Sequence, residues 1–175
     1  MCASTFVLAS FSLIRYRGRI KWGTLSPSSL AAGVVGAVVL YLLFLFGYVA
    51  APLVGLSGSV AGAFGMIYAA NTKAELVFLL ALIGVFEEIY WRGGIQGIAS
   101  GKGGLMGRMP WAAAAAYYTL VHISTLNPIL VIAALFVGLM TSLIAHKYGI
   151  IASTLTHILW IEAIIVFLPL TALAL

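Results

Sequence analysis

The sequence predicts an all-α, polytopic membrane helix bundle with about five or six transmembrane helices, and three observations carry that prediction. The first is charge. Of 175 residues, 63% are hydrophobic and 7% charged, with nine Lys or Arg and four acidic residues, whereas a soluble domain averages about 25% charged. A mean hydropathy of +1.17 leaves too little polar surface to wet a globule of this length, so a water-soluble enzyme is excluded. The second is pattern: apolar residues come in unbroken runs, where barrel strands would alternate over about ten residues. Helices then satisfy the backbone groups in lipid. The third is length, because a span with its turn uses roughly 20 to 30 residues.

The elements follow in order. The first run, Met1 to Ile14, has its basic residues after it, unlike the core of a signal peptide. It reads as a first membrane segment that covers about 21 Å of a roughly 30 Å core. Arg15, Arg17, Arg19 and Lys21 then make a basic stretch between apolar runs, the pattern of a cytoplasmic loop. That placement accounts for much of the net charge of +5 without a nucleic-acid partner. Ser26-Pro27 puts a capping side chain before a proline that needs no N–H, opening the run Ser28 to Leu56. Ser57 to Thr72, rich in Gly and Ala, predicts a short or re-entrant helix.

Glu75 to Ile98 is the third span, and Met109-Pro110 starts the next, to Leu126, without a cap. Within it Ala112 to Ala116 is a small-residue packing surface. Asn127-Pro128 repeats the capped start, and the run ends at His146, Lys147 and Gly149, cations and a glycine being the usual stop. Ile150 to Ala172 is the last span. Residues 1–74 hold the N-terminal membrane segments and connecting loops, and 75–175 the core bundle, together one compact membrane domain. The single cysteine, Cys2, permits no intrachain disulfide and no Cys-rich metal site. With the Arg15 to Lys21 loop cytoplasmic, Lys102, Arg108 and Lys147 fall inside too, Lys73 and Asn71 fall outside, and Arg92 lies within a span. The positive-inside rule favours that orientation in the cell membrane.

Charge within a span costs at least about 2.5 to 3.5 kcal/mol per residue and marks function by default. The third span carries Glu87, Glu88 and Arg92. Glu88 and Arg92, four apart, share a helix face and predict an ion pair. Glu87 points about 100° away and is left a free carboxylate. His122 lies in the fourth span and His157 in the last. Counted from the cytoplasmic ends at about 1.5 Å per residue, Glu87 lies about 16 Å deep, His122 about 18 Å and His157 about 10 Å. That allows the three to meet in the cytoplasmic half of the bilayer. A carboxylate shielded from water beside an imidazole is a competent general base, and donors aimed at a developing oxyanion gain strength where water is excluded. His146 reads as interfacial and solvated, and Glu162 as a pairing or cavity residue.

These residues resemble the CAAX prenyl endopeptidase and bacteriocin-processing group of intramembrane proteases. Its Glu-Glu-x-x-x-Arg motif, often followed by Gly, is matched from Glu87 to Gly93. Its Phe-x-x-x-His motif is matched from Tyr118 to His122 with Tyr for Phe, and its His-x-x-x-Asn/Asp motif at His157 but not at Ile161. The resemblance covers about Glu75 to Pro169. It implies that Glu87 and His122 activate water, that His157 stabilises the oxyanion, and that Glu88 and Arg92 brace the site, with no metal or cofactor. It also implies a membrane-associated peptide or protein as substrate, in contact with the lipid bilayer. Ile161 supplies no donor where the family has an amide or acid, and Trp160, Thr156 and Asn127 are the candidate substitutes. Two other readings stay open. One is a metal protease using Glu87, His122 and His157 as three ligands. The other is a non-enzyme, either a binding module or an ion pathway. Pathways spread ionisable groups over several depths, and here the three gather in one half of the bilayer.

Overall fold

A computed structural model describes residues 2–68 and 72–173; Asn71, expected on the outer side, lies outside them. Among the described residues every regular element is helical: α1 Cys2–Tyr16, α2 Pro27–Ala50, α3 Ser57–Tyr68, α4 Lys73–Glu88, α5 Gln96–Ser100, α6 Gly104–Arg108, α7 Pro110–His122, α8 Pro128–Tyr148 and α9 Ile150–Glu162, with short 3-10 and π segments joining or extending them. The chain is an all-α membrane bundle, as the composition requires.

The capped starts are present. Ser26 accepts from the Ser29 N–H at 3.2 Å with Pro27 at the first position of α2. Asn127 accepts from the Ile129 N–H at 3.0 Å ahead of α8. α7 begins at Pro110 with no side-chain cap. A capping box that the sequence reading passed over, Thr72 with Glu75, opens α4.

By length and apolarity, three helices among the described residues qualify as spans, Pro27–Val54, Pro128–Tyr148 and Ile150–Ala172, and a fourth if Ser57–Tyr68 and Lys73–Ser100 form one bent span. That is fewer than the five or six expected. The reason is length: α1 has 15 residues and α7 has 13, about 22 Å and 20 Å at 1.5 Å per residue.

α9 is the hub, packed by α2, α4 and α8. Small residues bring α2 close. A Cβ on Gly33 would meet the Leu155 side chain at 2.8 Å, and one on Gly36 the Thr156 hydroxyl at 2.9 Å. Thr156 uses the approach, its hydroxyl lying 3.1 Å from the carbonyls of Gly33 and Ala152. A hydrogen bond between membrane helices contributes about 0.6 kcal/mol on average, and small residues at such interfaces let the backbones pack closely. α7 meets α8 through buried Ala114 and Ala115 and through Gly138, the surface expected of the alanine run.

The basic segments gather at one end of the bundle. The Lys21 ammonium donates to the His146 carbonyl at 2.6 Å and the Lys147 carbonyl at 3.3 Å, a cation on the negative end of α8. The N–H groups of Ile150 and Ile151 donate to the carbonyls of Lys21 and Trp22 at 2.9 and 3.1 Å, which satisfies donors that the first turn of α9 leaves over. Gly23 and Gly149 touch there with φ of +80° and +91°, conformations open to glycine. The Arg19 backbone and side chain cover Gly97 and Gly101 of the α5 end.

Candidate active site

The helix carrying Glu87 and Glu88 changes pitch directly after them. α4 ends at Glu88, and Ile89–Ile95 forms a π segment that leads straight into α5. Such segments occur often at functional sites. Two glycines in it let other elements approach closely: a Cβ on Gly94 would meet the Ser12 hydroxyl at 2.5 Å, and one on Gly93 the Ile20 side chain at 3.3 Å. α1 and the basic loop therefore press directly on the π segment, and Arg92 within it is buried.

The expected ion pair is present. Arg92 Nη1 lies 3.1 Å from Glu88 Oε1, with both side chains fully shielded. The same oxygen accepts from His157 Nδ1 at 3.0 Å. Gly84, one turn before Glu88, makes this reach possible, since a Cβ there would sit 3.1 Å from Ile158 on α9. A carboxylate accepts only, so Nδ1 carries its proton in this bond and Nε2 is the ring nitrogen left for other chemistry.

Glu87 is buried like its neighbour, and it is not free. The Tyr118 hydroxyl donates to its Oε2 at 2.9 Å. The expectation of an unengaged carboxylate missed this bond because the partner sits on another helix and replaces an aromatic that has no hydroxyl. The Tyr118 ring lies 4.7 Å under the Arg92 guanidinium carbon, 5.4 Å edge-on to Trp91 and 4.6 Å from the His122 ring. The Tyr118 carbonyl accepts from His122 Nδ1 at 2.7 Å, which leaves Nε2 of half-buried His122 as the basic nitrogen.

The predicted residues thus join one network with Tyr118 at its centre. Among the described residues Glu87 makes no hydrogen bond to His122 or His157; His157 goes to Glu88 instead. No three His, Cys, Asp or Glu side chains among the described residues converge as a metal site would require, so the three-ligand set is not assembled. His146 is exposed, as expected. Glu162 is buried with neither oxygen hydrogen-bonded among the described residues, so the pairing role expected of it is not seen there.

Around the missing amide, Ile161 is half-buried against the core. Of the three substitute donors, Thr156 is bonded to backbone carbonyls, and Asn127 donates to the Ser59 carbonyl at 2.9 Å. The Trp160 indole N–H is buried and has no acceptor among the described residues, and its ring lies 5.9 Å from that of His157. Beside the network an apolar cleft of about 350 Å³ opens between the π segment with α5 and α7. Trp91, Ile95, Tyr117 and Val121 line it, with Lys102 as its cation.

Fold and site together define a membrane-embedded helical bundle with a buried acid, arginine and histidine network. Residues 69–161, more than half of the chain, match the family described as type II CAAX prenyl endopeptidase Rce1-like, and the chain belongs to that family. No curated protein and no solved structure matches it.

Proposed function

We propose that this chain is an intramembrane endopeptidase that hydrolyses a peptide bond in a membrane-associated substrate with water activated by Glu87. The observation that carries the reading is the division of the two carboxylates: Glu88 is occupied by Arg92 and His157, while among the described residues Glu87 accepts a single hydrogen bond, from a neutral donor. Glu87 accepts a proton from water, His122 Nε2 orients that water, and the hydroxide attacks the carbonyl carbon. His157 faces the oxyanion through Nε2–H. To donate there while Nδ1–H is held by Glu88, the ring carries both protons. The charges then balance, two carboxylates against Arg92 and an imidazolium, which suits a site surrounded by lipid. Collapse breaks the C–N bond, and the proton on Glu87 passes to the leaving amine.

The substrate is proposed from the cleft and from the family. A cavity of about 350 Å³ is in the range that encloses a small ligand, enough for an apolar side chain or part of a prenyl group, and Lys102 suits an anionic group of the same substrate. The basic end of the bundle is taken as cytoplasmic, which puts the chemistry in the cytoplasmic half of the bilayer. In cells, cysteines at positions 17 and 102 should label from the cytoplasm and one at 71 from outside, with Cys2 replaced; labelling of 71 only from the cytoplasm overturns the orientation. In purified form, reconstituted in vesicles, the protein should cleave membrane-anchored peptides, prenylated or not, and keep its rate in chelator. Loss of activity with chelator and recovery on adding Zn²⁺ would establish the metal reading instead.

A further inference from the structure

We propose that the Tyr118 hydroxyl is a positioning group for Glu87, holding Oε2 so that Oε1 is the oxygen presented to water; this rests on the protease reading above. Packing does not account for the hydroxyl. The contacts of the ring with Arg92, Trp91 and His122 need only an aromatic face and edge, which phenylalanine also has. A hydroxyl at a position 5% exposed needs an acceptor, and it finds one at Glu87 Oε2, 2.9 Å away. Among the described residues Oε1 receives no hydrogen bond from the protein. The other end of the same residue acts on the second group of the pair, because the Tyr118 carbonyl takes the His122 Nδ1 proton at 2.7 Å and turns Nε2 outward. One residue therefore sets the orientation of the carboxylate and the tautomer of the imidazole. α8 fixes its register: a Cβ on Gly138 would already lie 3.2 Å from the Tyr118 ring, so the ring has little room to turn.

Tyr118→Phe keeps the ring and deletes only the hydroxyl. The other ionisable groups of the network stay in place: Glu88 and Arg92 on the same helix, His122 on α7, and His157 on α9, which also carries Glu162. With Oε2 no longer held, kcat should fall about tenfold or more, the size of a hydrogen bond to a charged group, while KM changes little because the hydroxyl does not touch the substrate cleft.

A second readout does not depend on cleavage. The infrared carboxyl stretch, assigned to Glu87 by its loss in Glu87→Gln, should lie at a different frequency in Tyr118→Phe, because the hydrogen bond to Oε2 is gone. Thermal unfolding confirms that both proteins are folded. A displaced band together with a lowered kcat at little-changed KM supports the proposal. An undisplaced band with an unchanged kcat overturns it and leaves the protease reading standing. A displaced band where the wild-type protein cleaves no peptide overturns the protease reading, and the catalytic purpose of Tyr118 with it.

Discussion

Glu87→Gln is expected to abolish cleavage while leaving the folded protein intact. Glutamine has the shape of glutamate, and its carbonyl oxygen can still accept the Tyr118 hydroxyl, so packing and hydrogen bonding survive. What disappears is the group that takes a proton from water, a general base typically contributing about 10²- to 10⁴-fold in rate. Arg92→Ala should fail in the opposite way. It strips the cation from Glu88, which is fully shielded and shares Oε1 between Arg92 and His157, and it removes the face that covers Tyr118. Breaking a buried pair by deleting one partner costs roughly 3 to 5 kcal/mol, so this variant should lose folded yield and unfold at lower temperature. Turnover per folded molecule and the unfolding midpoint in detergent separate the two. Full turnover by purified Glu87→Gln would mean that Glu87 is not the base.

The parts legible in the sequence are those encoded locally. Charge depletion and unbroken apolar runs specify a helical membrane bundle, and Ser26-Pro27, Asn127-Pro128 and Gly149 mark helix ends because caps and stops need only neighbouring residues. The Glu88–Arg92 pair is likewise readable, since four residues on one helix are one turn apart. The pair survives the π segment that begins at Ile89, a change of pitch no residue pattern announced. What the sequence did not disclose depends on how helices meet. That His157 turns to Glu88 follows from the close approach at Gly84, and that Tyr118 reaches Glu87 follows from the register of α7. A trace was present: a tyrosine where the resembled motif has phenylalanine adds one polar atom to a buried ring, and such an atom needs a partner. The count of long helices is less legible for a different reason. Hydropathy locates apolar runs but not the length of each helix, and α1 and α7 have 15 and 13 residues where the longest spans have more than 20.

Trp160→Phe is expected to slow cleavage about a hundred- to a thousand-fold, the usual effect of deleting one oxyanion donor, because of the three candidate substitutes the indole N–H alone has no acceptor among the described residues and its ring lies 5.9 Å from that of His157. Ile161 offers none, Thr156 is bonded to backbone carbonyls, and Asn127 is bonded to Ser59. The Trp160 N–H is buried without an acceptor among the described residues, and leaving a donor in that state costs about 1 to 3 kcal/mol unless a bound group relieves it. Phenylalanine retains an aromatic ring for the edge contact with Phe44, whose centroid lies 4.7 Å away, so the variant should fold. Ile161→Asn puts an amide one turn beyond His157 on the same face. With Trp160 as the donor, Ile161→Asn alone should change little or do harm, and combined with Trp160→Phe it should restore much of the lost rate. A rise in turnover from Ile161→Asn in the wild-type background would instead show that the donor position is vacant and the enzyme slow for that reason. Cleavage of a transmembrane peptide library by neither the wild type nor Ile161→Asn, with both well folded, would end the protease reading and leave a membrane module that binds substrate tails without cutting them.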